Sequence, residues 1–493
     1  MLENRQKQRV KHNKLNHGYP KISYPRILIG GLGGGSGKTI VTLGLIKSLR
    51  NKGFRIKPFK KGPDYIDSAW LALAAGESAS NLDPFFMDEE SIRNIFSLKA
   101  KGFDISVIEG NRGIFDGLDV EGSCSTAHLS KVLDAPVIVV VDCTKVTRTV
   151  AAMLLGCNSL EPDFKLKGVI FNRIAGSRHK KILTRSVERY TDIKVLGAIP
   201  KLKKDPIPER HMGLISHREY ESEDNLNYLA QVVGDNVDLD GILKIARDVS
   251  HEFEIKPIWP KRVVSEPVNI GVVRDSSLWF YYEENLELLK ACGANIIEFS
   301  LISDLRPSHE IHGIYLGGGF PETQADVLSK NKQMREWVFN CAQMGMPIYA
   351  ECGGLMYLCR EIVTKDGLYP MAGVFPCKIR IHKRPQGHGY TRALSIRNNP
   401  FFKESVEFLG HEFHYSSCEI KDGQCEFVLD LKRGEGICNG KDGLLYKNTF
   451  ASYNHIYGPH IPSWGMNFVR ACLVFKDSLA LKKIPISQIK AIC

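Results

Sequence analysis

A glycine-rich segment near the N-terminus has the residues of a loop that binds nucleotide phosphates. It reads GLGGGSGKT from Gly31 to Thr39 and follows the apolar run RILIGG. Glycines such as Gly35 and Gly37 let backbone N–H groups turn toward phosphate oxygens, and a following helix adds its positive dipole end. Lys38 would reach the outer phosphates and Thr39 would hold Mg²⁺. Five residues separate the first glycine from GKT, one more than usual, so a turn without a ligand is the alternative.

Carboxylates after two further apolar runs could complete the metal and substrate end of this site. Asp64 and Asp67 follow a Gly-Pro turn in PFKKGPDYID, and Glu109 ends the run SVIEG. Ligands of open α/β sheets lie at the carboxyl ends of the strands. A buried carboxylate without a cation is unfavourable. The pattern favours a role at the metal and substrate end, and solvated loop acids are the alternative.

A second candidate centre lies in PIYAECGGL, where an apolar strand runs into a tight turn at Cys352. Small neighbours such as Gly353 are typical of a nucleophile elbow, which holds the reactive atom on a strained turn. The N–H of Gly353 and one from the loop around Gly318 could stabilise an oxyanion. The alternative is a thiol packed in the core. The flanking glycines favour the nucleophile.

A cysteine nucleophile needs a base, because the thiolate is the reactive form. His455, in SYNHI, is the best candidate, and His411 and His414, in GHEFHY, are competitors. Such partners meet in space and not in sequence. The sequence therefore predicts a cysteine–histidine pair about a hundred residues apart.

Length and composition limit the class of protein. The chain has 493 residues, 43% hydrophobic and 25% charged, which predicts two or three globular domains. The net charge of +11 fits nucleic acid or an anionic small substrate equally well. No run is long enough for a membrane span, and the basic start lacks the apolar stretch of a signal peptide, so we expect a cytoplasmic protein. Thirteen cysteines without metal or CxxC spacing predict reduced thiols, not a zinc site.

Two blocks of alternating β-rich and helical runs position these residues, which predicts parallel sheets covered by helices. The first block starts at Arg26, and a proline-punctuated charged stretch precedes the second. Turn and β signals in the last hundred residues predict antiparallel edges on the second sheet. The predicted domains are a basic arm at 1–25, a domain with the phosphate-binding loop at 26–235, a linker at 236–267 and a domain with the cysteine elbow at 268–493.

Together these segments resemble the cobyrinic acid a,c-diamide synthase family, from about residue 26 to 472. The ordered matches include GLGGGSGKT, PFKKGPDYID, IEGNRGIFDG, GVIFNRIAGSRH, GIYLGGGFPE, YAECGGLMYL and ASYNHI. The resemblance implies an α/β fold: a P-loop-type, mostly parallel ATP domain akin to dethiobiotin synthetase, followed by a class I-type glutamine amidotransferase domain. It implies amidation of tetrapyrrole carboxylates with ATP, Mg²⁺ and L-glutamine, without nucleic acid or membrane partners. A homodimer is left open.

The resemblance also implies residue roles. Lys38 and Thr39 would bind ATP and Mg²⁺, with Asp64 and Glu109 as acids of the metal or phosphate site. Cys352 would be the glutaminase nucleophile and His455 its activator. Asn172 and Arg173 would contact the adenine. The residues near the tetrapyrrole would be Asp64, Tyr65, Asp67, Asn111 and Arg112.

Two departures from the family pattern keep alternatives open. Many members read EGVMG where this chain has Glu109-Gly110-Asn111-Arg112-Gly113, so the substrate-facing loop gains an amide and a cation, and sirohaem, sirohydrochlorin or its nickel form are alternative substrates. Tyr457 stands where a second histidine is common. A triad acid of the His-x-Glu kind is absent, so no residue is predicted to orient His455. A partitioning-type ATPase switch is a further alternative, but it leaves Cys352 unexplained and needs a signature lysine where Gly33 stands.

Overall fold

The structure, a computed structural model, contains two successive α/β halves. It describes residues 21–161, 163–202, 207, 209–210, 213–214, 222–254, 256–420 and 425–481. The predicted basic arm lies outside the described residues up to residue 20. No helix within the described ranges is long and apolar enough to cross a membrane. The alternation of strands and helices in both halves confirms the predicted fold class.

The first half holds a central sheet, its covering helices and four short peripheral strands. Its strands are β1 (Lys21–Ile22), β2 (Arg26–Gly31), β3 (Ile56–Lys61), β4 (Ser80–Leu82), β5 (Ile105–Glu109), β6 (Val137–Asp142), β7 (Leu166–Ile174), β8 (Lys194–Pro200), β9 (Glu209–Arg210), β10 (Gly213–Leu214) and β11 (Phe253–Glu254). Its helices are α1 (Lys38–Asn51), α2 (Tyr65–Ala75), α3 (Glu89–Ala100), α4 (Thr126–Val132), α5 (Thr149–Leu160), α6 (Ser177–Tyr190), α7 (Ser222–Asn236) and α8 (Leu239–Arg247).

The central sheet is parallel and has the order β4-β3-β5-β2-β6-β7-β8. Strands such as β2 and β5 are buried along their whole length, as expected for β-branched and apolar runs covered by helices on both faces. The carboxyl ends of β2, β3, β5 and β6 meet at one edge. That edge carries the glycine-rich loop and Glu109.

The segment predicted as a linker, residues 236–267, contains regular structure. Helix α8 lies there, and β11 pairs with β1 in an antiparallel ladder. Leu239, Ile242 and Ala246 of α8 are buried in the same core as the first sheet. The first half therefore continues structurally beyond residue 235, while the exact domain boundaries stay predictions.

The second half contains a large mixed sheet and a smaller sheet beside it. Its strands are β12 (Val268–Val273), β13 (Leu278–Phe280), β14 (Ala294–Phe299), β15 (Gly313–Leu316), β16 (Gly318–Gly319), β17 (Ile348–Glu351), β18 (Cys359–Thr364), β19 (Gly367–Pro370), β20 (Phe375–Ile381), β21 (Gly387–Ser395), β22 (Glu407–His414), β23 (Ser416–Glu419), β24 (Glu426–Arg433), β25 (Lys441–Tyr446), β26 (Thr449–Ser452) and β27 (His455–Ile456). Its helices are α9 (Glu283–Cys292), α10 (Ala325–Lys330), α11 (Lys332–Gln343), α12 (Gly353–Leu358) and α13 (Pro462–Leu481), with 3₁₀ turns at Pro321–Gln324 and Gly458–His460.

The large sheet of the second half has the order β14-β12-β15-β17-β26-β25-β24-β21-β22-β27. From β14 to β26 the neighbouring strands are parallel, and from β26 onward they are antiparallel. This confirms the predicted parallel core with antiparallel edges. A separate four-stranded sheet has the order β19-β18-β20-β23.

The two halves are in direct contact. Tyr390 donates a hydrogen bond to Asp83 Oδ2 at 2.7 Å, and the ring of Tyr65 stacks on Phe280 at 5.0 Å between centroids. Tyr282 and Tyr457 of the second half pack into the hydrophobic core of the first. The halves therefore share a buried interface.

Candidate active site

The glycine-rich loop has the backbone that its sequence predicted. Gly35 and Gly37 adopt φ of +72° and +81°, a left-handed conformation that side chains rarely allow. A Cβ on Gly37 would lie 2.2 Å from Asn172 Nδ2. That amide donates a hydrogen bond to the Ser36 carbonyl at 3.0 Å. Both the conformation and the close approach of Asn172 require glycine at residue 37.

Asn172 and Arg173, at the end of β7, brace this loop from the neighbouring strand. Arg173 donates to the Gly35 carbonyl at 2.9 Å and pairs with Asp142 at 2.5 Å. Its φ of +59° is strained for a residue with a side chain. The two residues thus lie beside the loop, and contact with adenine stays a prediction.

The acids at the sheet edge form a buried charge network around Lys60, a residue that the sequence reasoning missed. Lys60 Nζ lies 2.9 Å from Glu109 Oε1 and 2.5 Å from Asp67 Oδ2. Thr39 donates to Glu109 Oε1 at 2.6 Å. Glu109 Oε2 is buried and has no hydrogen-bond partner in the described part of the chain. This orphaned oxygen beside the Thr39 hydroxyl fits a hard cation such as Mg²⁺.

Burial governs the protonation of these acids. It raises the pKa of Glu109, and it raises that of Asp64 to about 7 with help from the nearby charge of Asp67. The Asp64 carboxylate also accepts the Asp67 N–H at 2.9 Å and so caps α2. Burial, followed by repulsion from Lys60, lowers the pKa of Lys38. A bound cation would offset the burial of the carboxylates and favour their ionised forms.

Cys352 lies on the strained turn expected of an elbow. It adopts φ +46° and ψ −96° between β17 and α12, and its N–H donates to the Ser452 carbonyl at 2.7 Å. Such strain persists only where the surrounding structure enforces it, which is typical of functional sites. The sulfur contacts the Phe413 carbonyl oxygen at 4.0 Å. Within the described residues no hydrogen bond joins it to an imidazole.

The sulfur borders a small cleft and is therefore not sealed in the core. Glu322, Phe413, His414 and Tyr415 also line this cleft. Burial, followed by the charge of Glu322, raises the pKa of the Cys352 thiol. The thiol is consequently protonated at rest, and activation requires a base.

His455 lies beside a carboxylate, that of Glu351, which the sequence reasoning did not identify. Its Nδ1 lies 3.7 Å from Glu351 Oε2 and 3.4 Å from the Tyr65 hydroxyl. Glu351 in turn accepts hydrogen bonds from the Tyr315 hydroxyl at 3.0 Å and the Ile456 N–H at 3.1 Å. An acid directly before the elbow cysteine, at the end of a buried strand, was the available signal for this orienting group.

A glycine loop separates His455 from the elbow. A Cβ on Gly318 would lie 2.5 Å from His455 Cε1, and one on Gly353 would lie 2.8 Å from the Gly319 N atom. The Gly354 N–H donates to the Gly317 carbonyl at 3.0 Å. Both predicted oxyanion segments therefore lie against each other.

The two competing histidines occupy different places. His411 stacks on His455 with 4.8 Å between ring centroids, and burial lowers its pKa. His414 stacks on Tyr453 and lines the cleft of Cys352, and its buried Nε2 makes no hydrogen bond in the described residues but lies 3.7 Å from Glu412 Oε2. Each imidazole thus has a carboxylate at 3.7 Å, Glu351 for His455 and Glu412 for His414, so both stay candidate bases and the assignment of His455 stays a prediction.

A larger cavity of about 430 Å³ lies between the halves. Four of the five predicted substrate residues line it, together with His455. They are Asp64, Tyr65, Asn111 and Arg112. The fifth, Asp67, instead pairs with Lys60. Lys61, Arg112 and Arg433 bring positive charge to the lining, and Asp64, Asp116 and Glu412 bring acidic groups, so a ligand there would face charged groups of both signs.

Comparison with known proteins agrees with this two-part site. Residues 27–215 match the CobQ/CobB/MinD/ParA nucleotide binding domain, and residues 269–459 match the CobB/CobQ-like glutamine amidotransferase domain. A cobyrinate a,c-diamide synthase of Magnetococcus marinus is 38% identical over 89% of this chain and 95% of its own. Enzymes of the same name from Archaeoglobus fulgidus (36%, covering 92% and 98%) and Methanosphaera stadtmanae (38%, covering 90% and 98%) are similarly related.

Proposed function

Because the chain belongs to the cobyrinate a,c-diamide synthase family, we propose that it amidates the a and c carboxylates of cobyrinic acid with ATP and glutamine. The observation that carries this proposal is the cavity between the halves. Asp64 and Arg112 of the nucleotide-binding half and His455 of the glutaminase half line the same space. A nitrogen donor and a carboxylate acceptor would thus meet in one enclosure.

The nucleotide-binding half would activate the carboxylate. A carboxylate resists ammonia because it has no leaving group, and phosphorylation supplies one. A carboxylate oxygen of the substrate attacks the γ-phosphorus of ATP, the bond to the bridging oxygen breaks, and ADP leaves with an acyl phosphate formed. Lys38 would neutralise charge on the transferring phosphoryl group. Thr39, Asp64 and Glu109 would hold Mg²⁺, which supplies further charge neutralisation at the phosphates when bound.

The glutaminase half would release ammonia. His455, oriented by Glu351, takes the thiol proton, and the Cys352 thiolate attacks the side-chain amide carbon of glutamine. The N–H groups of Gly318 and Gly353 would stabilise the oxyanion. The C–N bond breaks, the proton from His455 goes to the departing ammonia, and water later hydrolyses the thioester to glutamate. Asp442 supports this arrangement, since it accepts the N–H groups of the two residues before His455.

Ammonia would then attack the acyl phosphate carbon, and inorganic phosphate would leave. Bulk water would protonate ammonia and hydrolyse the acyl phosphate, so both must react in a sequestered space. Tyr65 stands between the two centres, since it follows Asp64 and contacts His455. The buried aromatic contacts around Tyr65 would exclude water from this passage.

The experiment that tests this proposal measures which tetrapyrrole is amidated. Purified enzyme is incubated with ATP, Mg²⁺ and glutamine and with cobyrinic acid, sirohaem, sirohydrochlorin or Ni-sirohydrochlorin, and amidations are counted by mass spectrometry. We expect two amidations of cobyrinic acid and faster turnover of it than of the others. Preferred amidation of a sirohaem-type substrate would contradict the substrate assignment, and no amidation of any would contradict the reaction.

We place the enzyme in the cytoplasm, where ATP and glutamine are available, and propose a homodimer as its assembly. Light scattering of the purified protein tests the assembly. A mass of one chain, 55.3 kDa, across the concentrations used for activity would contradict the dimer.

A further inference from the structure

Four cysteines of the second half converge at the far end of the helix that starts behind Cys352. Cys359 begins β18, Cys377 lies in β20, Cys418 lies in β23, and Cys425 directly precedes β24. The sulfur atoms of the first three all lie within 4.8 Å of one another. Cys425 is not part of this mutually close trio, but its sulfur lies 3.4 Å from that of Cys377. Four separate strands thus contribute to one group of thiols.

Three of these four thiols lie in an apolar, buried environment, and Cys425 is half-buried. Cys359 and Cys377 are completely buried and Cys418 is 8% exposed. The same hydrophobic cluster contains Ile362 and Ile379. Among the described residues, no other group of three or more Cys, His, Asp or Glu side chains brings its ligand atoms this close. Cys292 and Cys472, also buried, lie in α9 and α13 and serve as ordinary core thiols for comparison.

We propose that Cys359, Cys377, Cys418 and Cys425 bind a structural zinc ion. Tetrahedral Zn²⁺ with Zn–S bonds of about 2.3 Å holds its sulfur ligands about 3.8 Å apart. The Cys377–Cys425 separation of 3.4 Å and the 4.8 Å limit on the three pairs among Cys359, Cys377 and Cys418 are compatible with this value, and all four cysteines are free thiols. An all-sulfur set of four without an open position is typical of structural zinc and not of catalytic zinc.

Zinc binding here replaces four S–H bonds by four Zn–S bonds. The thiols lose their protons to solvent, and no electron is transferred, so the step needs only Zn²⁺. The sequence argued against such a site because the ligands have none of the short spacings of zinc motifs. The sheet order β18-β20-β23 brings them together in space.

The position of the site indicates its role. Helix α12 runs from Gly353 to Leu358, so Cys359 fixes the end of the helix that starts at the elbow. Ser416, two residues before Cys418, hydrogen-bonds through its hydroxyl to Tyr453 at 2.8 Å, and Tyr453 lies two residues before His455. A zinc ion on these strands would hold the elbow and the segment of its base in fixed relative positions. The inference does not depend on which carboxylate the enzyme amidates.

The test is the zinc content of the full-length enzyme, produced in zinc-supplemented medium and dialysed against a weak chelator. Elemental analysis should find about one tightly bound zinc per chain. Cys418→Ala should lose that zinc, and Cys292→Ala, which also removes a buried thiol, should keep it. The melting temperature of Cys418→Ala should fall further than that of Cys292→Ala, because bound metal stabilises the folded state.

A second measurement keeps the proposal falsifiable if Cys418→Ala fails to fold. Wild-type enzyme from cobalt-supplemented minimal medium should show the intense visible ligand-field bands and the thiolate-to-metal charge transfer of tetrahedral Co²⁺. Folded wild-type enzyme free of zinc would overturn the site, as would a mass showing a Cys377–Cys425 disulfide. Zinc retained in Cys418→Ala, or iron in place of zinc, would overturn the assignment as well.

Discussion

The two centres of this chain are built by opposite physical means. At the nucleotide end, buried charges neutralise one another: Lys60 lies between Glu109 and Asp67, and Thr39 adds a hydrogen bond. At the glutaminase end, the thiol of Cys352 sits among apolar and aromatic groups, and strain in the backbone exposes it to a small cleft. The nucleotide centre thus holds ionised side chains in place, and the glutaminase centre holds a neutral thiol.

This difference follows from the reactions that we assign to the two centres. Phosphoryl transfer moves charge between oxygens, so cations and carboxylates must be in place beforehand. Thiol attack needs a reagent that becomes charged only when its base acts. Tyr65 links the two centres. It begins the helix that Asp64 caps, and it contacts His455 across the interface between the halves. The following predictions test this division of labour.

Among substitutions at the nucleotide end, Lys38→Met should lower the amidation rate the most. We expect amidation to fall about 10²–10³-fold, the range for removing one preorganised charged donor. The loss should be equal with glutamine and with ammonium salts, since Lys38 serves the acyl phosphate and not the nitrogen source. Lys52→Met, an exposed position just after the same helix, is the control. A loss of activity with glutamine but not with ammonium salts would contradict a role for Lys38 in the use of ATP.

Glu109→Gln should also lower the amidation rate with both nitrogen sources, but by less than Lys38→Met. The amide keeps the size of the side chain but removes the charge that pairs with Lys60 and would hold Mg²⁺. We expect activity to fall about 10–100-fold and the Mg²⁺ concentration for half-maximal rate to rise. The exposed Glu121→Gln is the matched control. An unchanged Mg²⁺ requirement would argue against Glu109 as a metal ligand.

Tyr65→Phe should sharpen the comparison, because it removes only the hydroxyl that contacts His455 and keeps the ring that stacks on Phe280. Loss of one hydrogen bond of about 1 kcal/mol predicts a glutaminase rate about fivefold lower and a shifted pH profile for that half-reaction. ATP-dependent amidation with ammonium should change less. Tyr190→Phe, an exposed tyrosine, controls for the substitution. An equal loss of amidation activity with glutamine and with ammonium would show that the Tyr65 hydroxyl acts on the tetrapyrrole and not on His455.

Asp64→Asn should have a pH-dependent effect on stability. The folded-state pKa of Asp64, about 7, lies above the value of about 3.9 for an unfolded aspartate. Wild-type stability from this group is therefore full below pH 4 and is lost as pH rises through 7. The melting temperature of the variant, relative to wild type, should rise between pH 5 and 8.

The control for this effect is Asp88→Asn. Asp88 also caps a helix, and a backbone hydrogen bond from Ser91 lowers its pKa, so its contribution changes below pH 4. The difference between Asp88→Asn and wild type should stay constant from pH 5 to 8. A constant difference for Asp64→Asn as well would contradict a strongly raised pKa.

The sequence correctly predicted the features that depend on residues close together in the chain. Alternating apolar runs indicated both α/β halves, and GKT and the ECGG turn marked the loop and the elbow, because each depends on residues adjacent in the chain. The parallel core with antiparallel edges of the second half was also foreseen. The strained backbone of Cys352 agrees with the elbow prediction.

What the sequence could not reveal depends on distant residues meeting. Lys60 received no role from the sequence, because only the pairing of β5 beside β3 brings it to Glu109. Glu351 escaped notice because it precedes the cysteine, not the histidine that it orients. The cysteine group has no sequence spacing at all, since four separate strands assemble it. The helix in the predicted linker was hidden by the prolines that follow it.

The most direct test of the central claim, that one chain joins a nitrogen donor to an ATP-driven acceptor, is Cys352→Ala assayed with two nitrogen sources. We predict that glutamine-dependent amidation disappears, because the thiolate that attacks glutamine is gone. Amidation with ammonium salts should continue at the wild-type rate, because Lys38, Glu109 and the cavity are untouched. Loss of both activities in a folded variant, or retention of both, would contradict the account.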